Sequence, residues 1–538
     1  MATDYFRLNP SIPTKAAEGL GWRMQLLLFV IAALLVISRR PDVVTHPQFF
    51  AEDGAVWFAE AYRLTFLHSL LTPDAGYVQT FPRLVAALAT AVPLLFAPAL
   101  MNVIGIVVQV LPVNVLAAER SAIWGSLPLR LLMGLTYIAL PNSRELDVVI
   151  TNAQWHLALL ACLLILAAAP KTWKECVFDC TVLLVSGLTG PFCIFLVPVA
   201  AVIWWVRRDK WRAVPFILTA ICAVIQIAVV YQADPVIRSR APLGASLRVL
   251  VEILSSHVFL AALLGYANYP AHLSLRALTV VAIAGLAIIV YATLRAKWEY
   301  KLMIVFCMLV FAASMASPLV SKTEPQWLVL QQAYGIRYWF FPMLAFSWSL
   351  LWCVQHGGSK IMRGSASFLL ILMVAGAAKD WEYPAFPDRN FAQSARKFEG
   401  LRPGEAMTFP LYPDGWSMQL VKDVRNCSTL PNGSIDAPPN AAHVSGTFEL
   451  SGWVNADEPV KELSVYLDGT KVKTLIPTIQ RPDVDRHYPG SPLKNKGWTG
   501  ALNVSGAKPG AHVIELRARL SNGCEAIVGA GSVEVAAH

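Results

Sequence analysis

Long stretches of the first 378 residues are apolar with little polar interruption, whereas short stretches after them alternate apolar and polar. Runs at 21–38, 100–118, 128–140, 155–169, 178–205, 214–232, 275–294, 303–316, 338–354 and 367–377 are long enough, or nearly so, to cross a bilayer core as helices. The run at 178–205 is too long for one span and is broken by Gly187, Gly190 and Pro191, so it predicts two helices meeting at a turn. About ten to eleven crossings result. Pro93 and Pro98 divide the stretch 81–118, whose first half is short for a span and is expected to dip in or lie at the interface. The first run ends at Arg39, Arg40 and Pro41 without a small-residue cleavage pattern, so it reads as a retained helix and not an export signal.

After Lys379 the pattern changes. A connector over 379–440, with Pro384, Pro387, Pro403, Pro410 and Pro413, leads to segments at 444–454, 463–475, 498–504, 512–520 and 526–535 that predict strands. Ile514, Leu516, Ala518 and Leu520 would face one side, and Glu515, Arg517 and Arg519 the other. Asp468-Gly469 is a hairpin signal. The fold class expected is a polytopic α-helical membrane domain over 1–378, followed by a small all-β sandwich over 441–538.

Composition sharpens the membrane reading. The chain has 538 residues, 56% hydrophobic and 15% charged, well below the quarter charged that is usual in soluble domains. Its net charge of +9 divides unevenly, with 27 basic against 17 acidic residues in 1–378 and 17 against 18 in 379–538. Much of the excess lies in Lys171/Lys174, Arg207/Arg208/Lys210/Arg212, Arg295/Lys297/Lys301 and Lys360/Arg363, loops separated by pairs of spans. They can share one face, and the positive-inside rule makes that face cytoplasmic. The basic balance therefore signals orientation in an inner (plasma) membrane and not a nucleic-acid partner. The loops around Asn152, Asp234 and Glu324, and everything after Lys379, are expected outside.

Seven of the nine cysteines lie in or beside apolar runs, where a lone Cys acts as a small hydrophobe. Cys427 and Cys524 lie in the outer part, where an oxidising compartment permits them to pair. No CxxC, Cys/His zinc spacing, phosphate-binding glycine loop or internal repeat is present.

Candidate chemistry concentrates in the first loop, residues 39–83, which holds Glu52-Asp53 among Phe49, Phe50 and Trp57 and continues through Gly76-Tyr77 to Phe81-Pro82-Arg83. Adjacent acids near a membrane surface are not needed to pack spans, although solvated loop carboxylates are common. Further along, Asn152, Trp155 and His156 open a helix from the outside, and Arg337-Tyr338-Trp339-Phe340 open a late one. Each has a plain alternative: an Arg among aromatics is a usual snorkelling anchor, and Trp and His at a span boundary are ordinary belt residues. His156 has no second His at helical spacing, which argues against a metal site there. Glu252, His257, Arg238, Arg240, Lys322 and Glu324 read as solvated loop charges. In the outer domain Trp453, Tyr466 and Trp498 can pack a core or stack on sugars, and Asp483 with Asp485 is weak evidence for calcium.

An acidic pair after helix one, an aromatic Arg-containing start to the next helix, Thr151-Asn152-Ala153-Gln154-Trp155-His156, Gly335-Ile336-Arg337-Tyr338-Trp339-Phe340 and a terminal soluble domain together resemble the GT-C superfamily of integral-membrane glycosyltransferases. The resemblance covers about the first 420 residues, and its short motifs specify a class and not a substrate. It implies a sugar donor on a polyprenyl phosphate, a glycan or lipid acceptor outside the membrane, and an inverting displacement with a loop acid as general base. Asp53 is the base on this reading, with Glu52 as its alternative or as a metal or orienting partner; a divalent ion is left open. Arg337, then Arg83 and Tyr338, would contact the donor phosphate, and Asn152, Trp155 and Tyr77 would line the pocket. A transporter or lipid flippase with an outer accessory domain is the main rival, though the near-absence of charge inside the spans favours chemistry at their ends. A non-catalytic assembly partner is a third reading.

Overall fold

The computed structural model describes residues 19–64, 66–232, 241–266, 273–321, 323–332, 335–401, 405–422, 431–439 and 441–536. Lys322, Asp234, Arg238, Arg240 and Cys427 lie outside them. The chain forms two compact units: Met1–Pro47, Leu71–Val85 and Pro98–Pro387 make the first, and Gln48–Leu70, Ala86–Ala97 and Asp388–His538 the second. By its contacts the acidic stretch of the first loop therefore belongs to the second unit.

The first unit is helical. Its principal helices are α1 (Trp22–Arg39), α2 (Thr80–Ala89, shared with the second unit), α3 (Ala97–Ala117), α4 (Leu127–Ile138), α5 (Ala153–Leu166), α6 (Trp173–Gly187), α7 (Phe192–Arg207), α8 (Ala213–Gln232), α9 (Leu247–Leu264), α10 (Leu275–Arg295), α11 (Trp298–Ala316), α12 (Phe340–His356) and α13 (Lys360–Lys379). Among the described residues seven helices are long and apolar enough to cross a membrane, the character of a multi-pass membrane protein. The 178–205 run does divide, α6 ending at Gly187 and α7 starting at Phe192. Gly190, with φ +77°, takes the left-handed backbone that the turn between them requires. α2 has ten residues, about 15 Å at the helical rise and half the thickness of a bilayer core.

Hydrophobicity all round a helix predicts full burial. α5 obeys this: every residue but Gln154 is buried. Around it pack Phe340, Phe341 and Leu344 of α12 and Phe306 and Val310 of α11. α1, α8, α10 and α13 instead leave apolar side chains such as Leu34, Val224, Val280 and Ile371 exposed. Exposed apolar area on that scale suits lipid and not water.

α9, where Glu252 and His257 read as solvated loop charges in the sequence, is one of the seven by length and composition. A π-helical stretch, Ile253–Leu260, occupies its centre. Glu252 accepts from Gln331 Nε2 at 2.5 Å, and beyond its end Gly265 packs against Gly376 and Asp380 at the close of α13. Glu252 and His257, expected on a solvated face, are tied in. His257 is 2% exposed, stacks on Trp339 with centroids 5.5 Å apart, and joins Gln331 O at 2.8 Å.

The second unit carries the β structure: β1 (Ala406–Pro410), β2 (Ser417–Val421), β3 (Asn432–Ala437), β4 (Ala442–Val444), β5 (Thr447–Asn455), β6 (Val460–Leu467), β7 (Thr470–Leu475), β8 (Gly497–Asn503), β9 (Gly510–Leu520) and β10 (Glu525–Val535). A five-stranded sheet, ordered β4-β10-β9-β6-β7, faces a three-stranded sheet, β3-β5-β8, and one core joins Leu463, Leu516 and Val533 to Leu450, Trp498 and Leu502. Asp468 and Gly469 both take positive φ in the β6–β7 hairpin. Ile514, Leu516, Ala518 and Leu520 point inward as their spacing predicts. Arg517 departs from the pattern, being 4% exposed with its guanidinium 4.0 Å from the Tyr466 ring and 2.8 Å from Glu515.

The stretch drawn as a connector contains structure: β1 pairs antiparallel with β2, and a helix, α14 (Phe391–Glu399), precedes them. Phe391, Phe398 and Phe409 pack with Phe49, Phe58 and Tyr62 of the first loop. Cys524 is disulfide-bonded, and the seven cysteines of the helical unit are free thiols.

Candidate functional site

Within the helical unit the loop 139–152, between α4 and α5, collects polar groups. Asp147 accepts from Gln109 Nε2, and Gln109 Oε1 takes the Val148 N–H at 3.1 Å. Val148 has φ +70°, unfavourable for a β-branched residue and held by these bonds. Its carbonyl oxygen lies against Gly105, where a Cβ would overlap it. His156 bonds Tyr137 at 2.8 Å through Nδ1 and Leu146 O at 3.1 Å through Nε2, so both ring nitrogens are occupied. Asn142 N–H donates to Asp380 at 2.7 Å.

This anchored loop presents Glu145. Its carboxylate pairs with the Arg337 guanidinium and also accepts the Arg337 backbone N–H at 3.2 Å, while its carbonyl accepts Asn152 Nδ2 at 2.8 Å. Arg337 donates further to Leu319 O at 3.0 Å and lies 4.8 Å from the Tyr338 ring centroid. The Tyr338 hydroxyl accepts from Leu319 N–H at 2.9 Å, and its ring lies 5.9 Å from that of Trp155. Of the sequence-level candidates, Arg337 therefore meets the Glu145 carboxylate, Asn152 the Glu145 backbone carbonyl, Tyr338 the Arg337 side chain, and Trp155 the Tyr338 ring. The side chains of Arg337 and Glu145 remain 25% and 19% exposed.

Glu145 and Asp147 were absent from the sequence-level set. The signal was there: Arg144, Glu145 and Asp147 place three charges in four residues between two apolar runs.

Tyr77 lies on a different feature of the same unit. Residues 74–77 form a tight turn, with Asp74 and Tyr77 exchanging backbone bonds at 3.0 Å. The following residues are strapped to the α6–α7 turn and α8: Gly190 N–H donates to Val78 O at 3.1 Å, and Val78 N–H to Gln226 at 2.9 Å. Phe192, at the start of α7, stacks edge-on with Trp155 at 4.9 Å. Arg83, in α2, is 1% exposed.

Glu52 and Asp53 sit in the second unit. Ala51 takes φ +38° and donates its N–H to Tyr412 O at 2.7 Å, which turns the chain into a π-helix, Asp53–Phe58. π-turns are rare and concentrate at functional sites. Gly54 is required there, since a Cβ would press on Phe49. Asp53 is 2% exposed, and Glu52 is half-buried.

Among the described residues no three His, Cys, Asp or Glu side chains gather as a metal would need. The acids considered for calcium are committed elsewhere: Asp483 bonds Arg481 at 2.8 and 2.6 Å, which holds its carboxyl well below the usual range, and Asp485 pairs with Lys496.

No family model matches the chain, and a search of curated proteins finds no match. Solved structures match over parts only. Fibronectin(III)-like modules of Clostridium thermocellum CbhA share 19% identity over 19% of this chain and 93% of theirs, with TM-score 0.14. An endo-β-1,4-mannanase from Thermotoga petrophila shares 12% over 30% of this chain and 24% of its own, TM-score 0.16. A Jonesia denitrificans lytic polysaccharide monooxygenase shares 18% over 18% of this chain and 60% of its own, TM-score 0.13. The chain thus spans less than two thirds of the latter two, and similarity this low assigns neither fold nor function.

Proposed function

We propose that the protein is a multi-pass inner-membrane glycosyltransferase of the GT-C type, moving a sugar from a polyprenyl phosphate to an extracytoplasmic glycan or lipid. The observation that carries this reading is the one-quarter-exposed Arg337 with Glu145, Asn152 and Tyr338 at the end of the bundle where α5 and α12 begin. About ten or eleven helices would cross the membrane, with the β-sandwich outside. In the reaction the acceptor hydroxyl attacks the anomeric carbon, a general base takes its proton, and the bond to the lipid phosphate breaks; Asp53 and Glu52 are the acids proposed as that base. A guanidinium suits the leaving phosphate because it offers paired donors and a fixed charge. One inversion accompanies this single displacement.

The test is transfer from a labelled polyprenyl-phosphate sugar to a membrane-glycan extract by purified protein, compared with Asp53→Asn and Glu52→Gln. The expected result is a loss of about a hundredfold or more in at least one variant, the usual scale for a general base. Transfer undiminished in both would remove the mechanism. Absence of transfer from any carrier would favour the flippase.

A further inference from the structure

We propose that Glu145 is a specificity-determining residue that keeps Arg337 charge-paired until a strong anion, a lipid-linked phosphate, displaces it. The inference rests on the phosphate-binding role given to Arg337 above. The Arg337 guanidinium already has a carboxylate, the Leu319 carbonyl and the Tyr338 hydroxyl around it. A phosphate brought to the same nitrogens would meet the Glu145 charge a few ångströms away. Like charges a few ångströms apart repel, and the more strongly where water is partly excluded.

The Glu145 backbone cannot retreat easily. Leu146 N–H bonds Ser143 O at 2.9 Å, His156 holds Leu146 O, Asn152 holds the Glu145 carbonyl, and Gln109 holds both Asp147 and Val148. The part that can swing is the side chain, 19% exposed and bonded to the Arg337 guanidinium and backbone N–H. Weakly bound anions then fail to displace it, while a phosphate fixed by its own lipid chain arrives with the added affinity of the tail. Glu145 therefore sets a threshold of affinity that a membrane-anchored phosphate meets through its tail.

The experiment is calorimetric titration of the full chain, in a neutral detergent at fixed ionic strength, with dodecyl phosphate and separately with inorganic phosphate. Glu145→Gln is expected to bind dodecyl phosphate about tenfold more tightly than wild type, one order of magnitude being about 1.4 kcal/mol. It should also acquire measurable inorganic phosphate binding, and Glu145→Ala should behave likewise. A gain in affinity is not what structural damage produces. Equal or weaker binding by both variants, with Arg337→Gln still weakening the wild-type interaction, would overturn the role of Glu145 alone. Binding of dodecyl phosphate unaffected by Arg337→Gln would remove the phosphate site itself, and this inference with it.

Discussion

Compared across its two ends, the helical unit uses arginine in two ways. Where α3 and α5 finish, Arg130 donates to Leu116 O at 2.8 Å and Ala118 O at 2.6 Å, and Arg212 to Ile165 O at 2.8 Å and Ala167 O at 3.0 Å. Arg120 holds Ala168 O and makes a two-point pair with Asp179 at 3.0 and 2.5 Å. These cations satisfy the orphan carbonyls of helix C-termini and oppose the negative pole there. They are 1%, 6% and 9% exposed. At the other end Arg39 does the same for Ile138 O and Leu140 O, and burial pushes the neighbouring Tyr383 hydroxyl up. Arg337 differs: it opens α12 instead of closing a helix, and its main partner is a carboxylate that water can reach. An arginine bonded to backbone carbonyls is structural; one paired with a half-exposed acid retains a charge that can be redirected.

Substitutions should separate these roles. The largest effect belongs to Arg120→Ala, which strands the 1%-exposed Asp179 and should cost about 3–5 kcal/mol, seen as a lower unfolding temperature in detergent. Transfer per folded molecule should be unchanged. Gly105→Ala pushes a methyl into the Val148 carbonyl and should cost about 1–3 kcal/mol while slowing transfer, because the loop carrying Glu145 is displaced. Asn152→Ala removes one bond to that loop and should cost about 1 kcal/mol, with a modest fall in transfer. Equal loss of activity in Arg120→Ala and Asn152→Ala would erase the distinction between the two uses.

The smallest effect lies in the β-sandwich. Lys508 O and Asp468 raise the His512 pKa above its ordinary 6.5, and the Val513 N–H and His512 lower that of Asp468 below its ordinary 3.8. The histidine contribution is complete below pH 6.5 and is lost as pH rises through the raised value. The aspartate contribution is present above pH 3.8 and is lost as pH falls through the lowered one. Both are present in the interval between. Unfolding of the sandwich should therefore be most resistant at mildly acidic pH, with His512→Gln flattening the profile by less than about 1 kcal/mol because the pair is at the surface.

Much of this architecture is legible from residues alone. Burial of helices needs only a continuous apolar run, and Gly187, Gly190 and Pro191 mark the break between α6 and α7. Strands β5 to β10 follow from strict alternation and from Asp468-Gly469. The sequence conceals what depends on distant partners. β3 is short and polar, and it forms because β5 supplies its ladder. α9 mixes Glu252 and His257 into an apolar stretch, and both are bonded to Gln331, about 75 residues away. Glu145 gains meaning only when folding brings it to Arg337, 192 positions on. Arg337, by contrast, was legible because it stands at a helix start among aromatics.

The most direct test is the initial rate of sugar transfer from a labelled polyprenyl-phosphate donor by Arg337→Gln, divided by that of wild type and normalised to folded protein. A fall of about a hundredfold or more, the scale for losing one transition-state charge partner, is the predicted result. A rate within about twofold of wild type, far below that scale, would contradict the account.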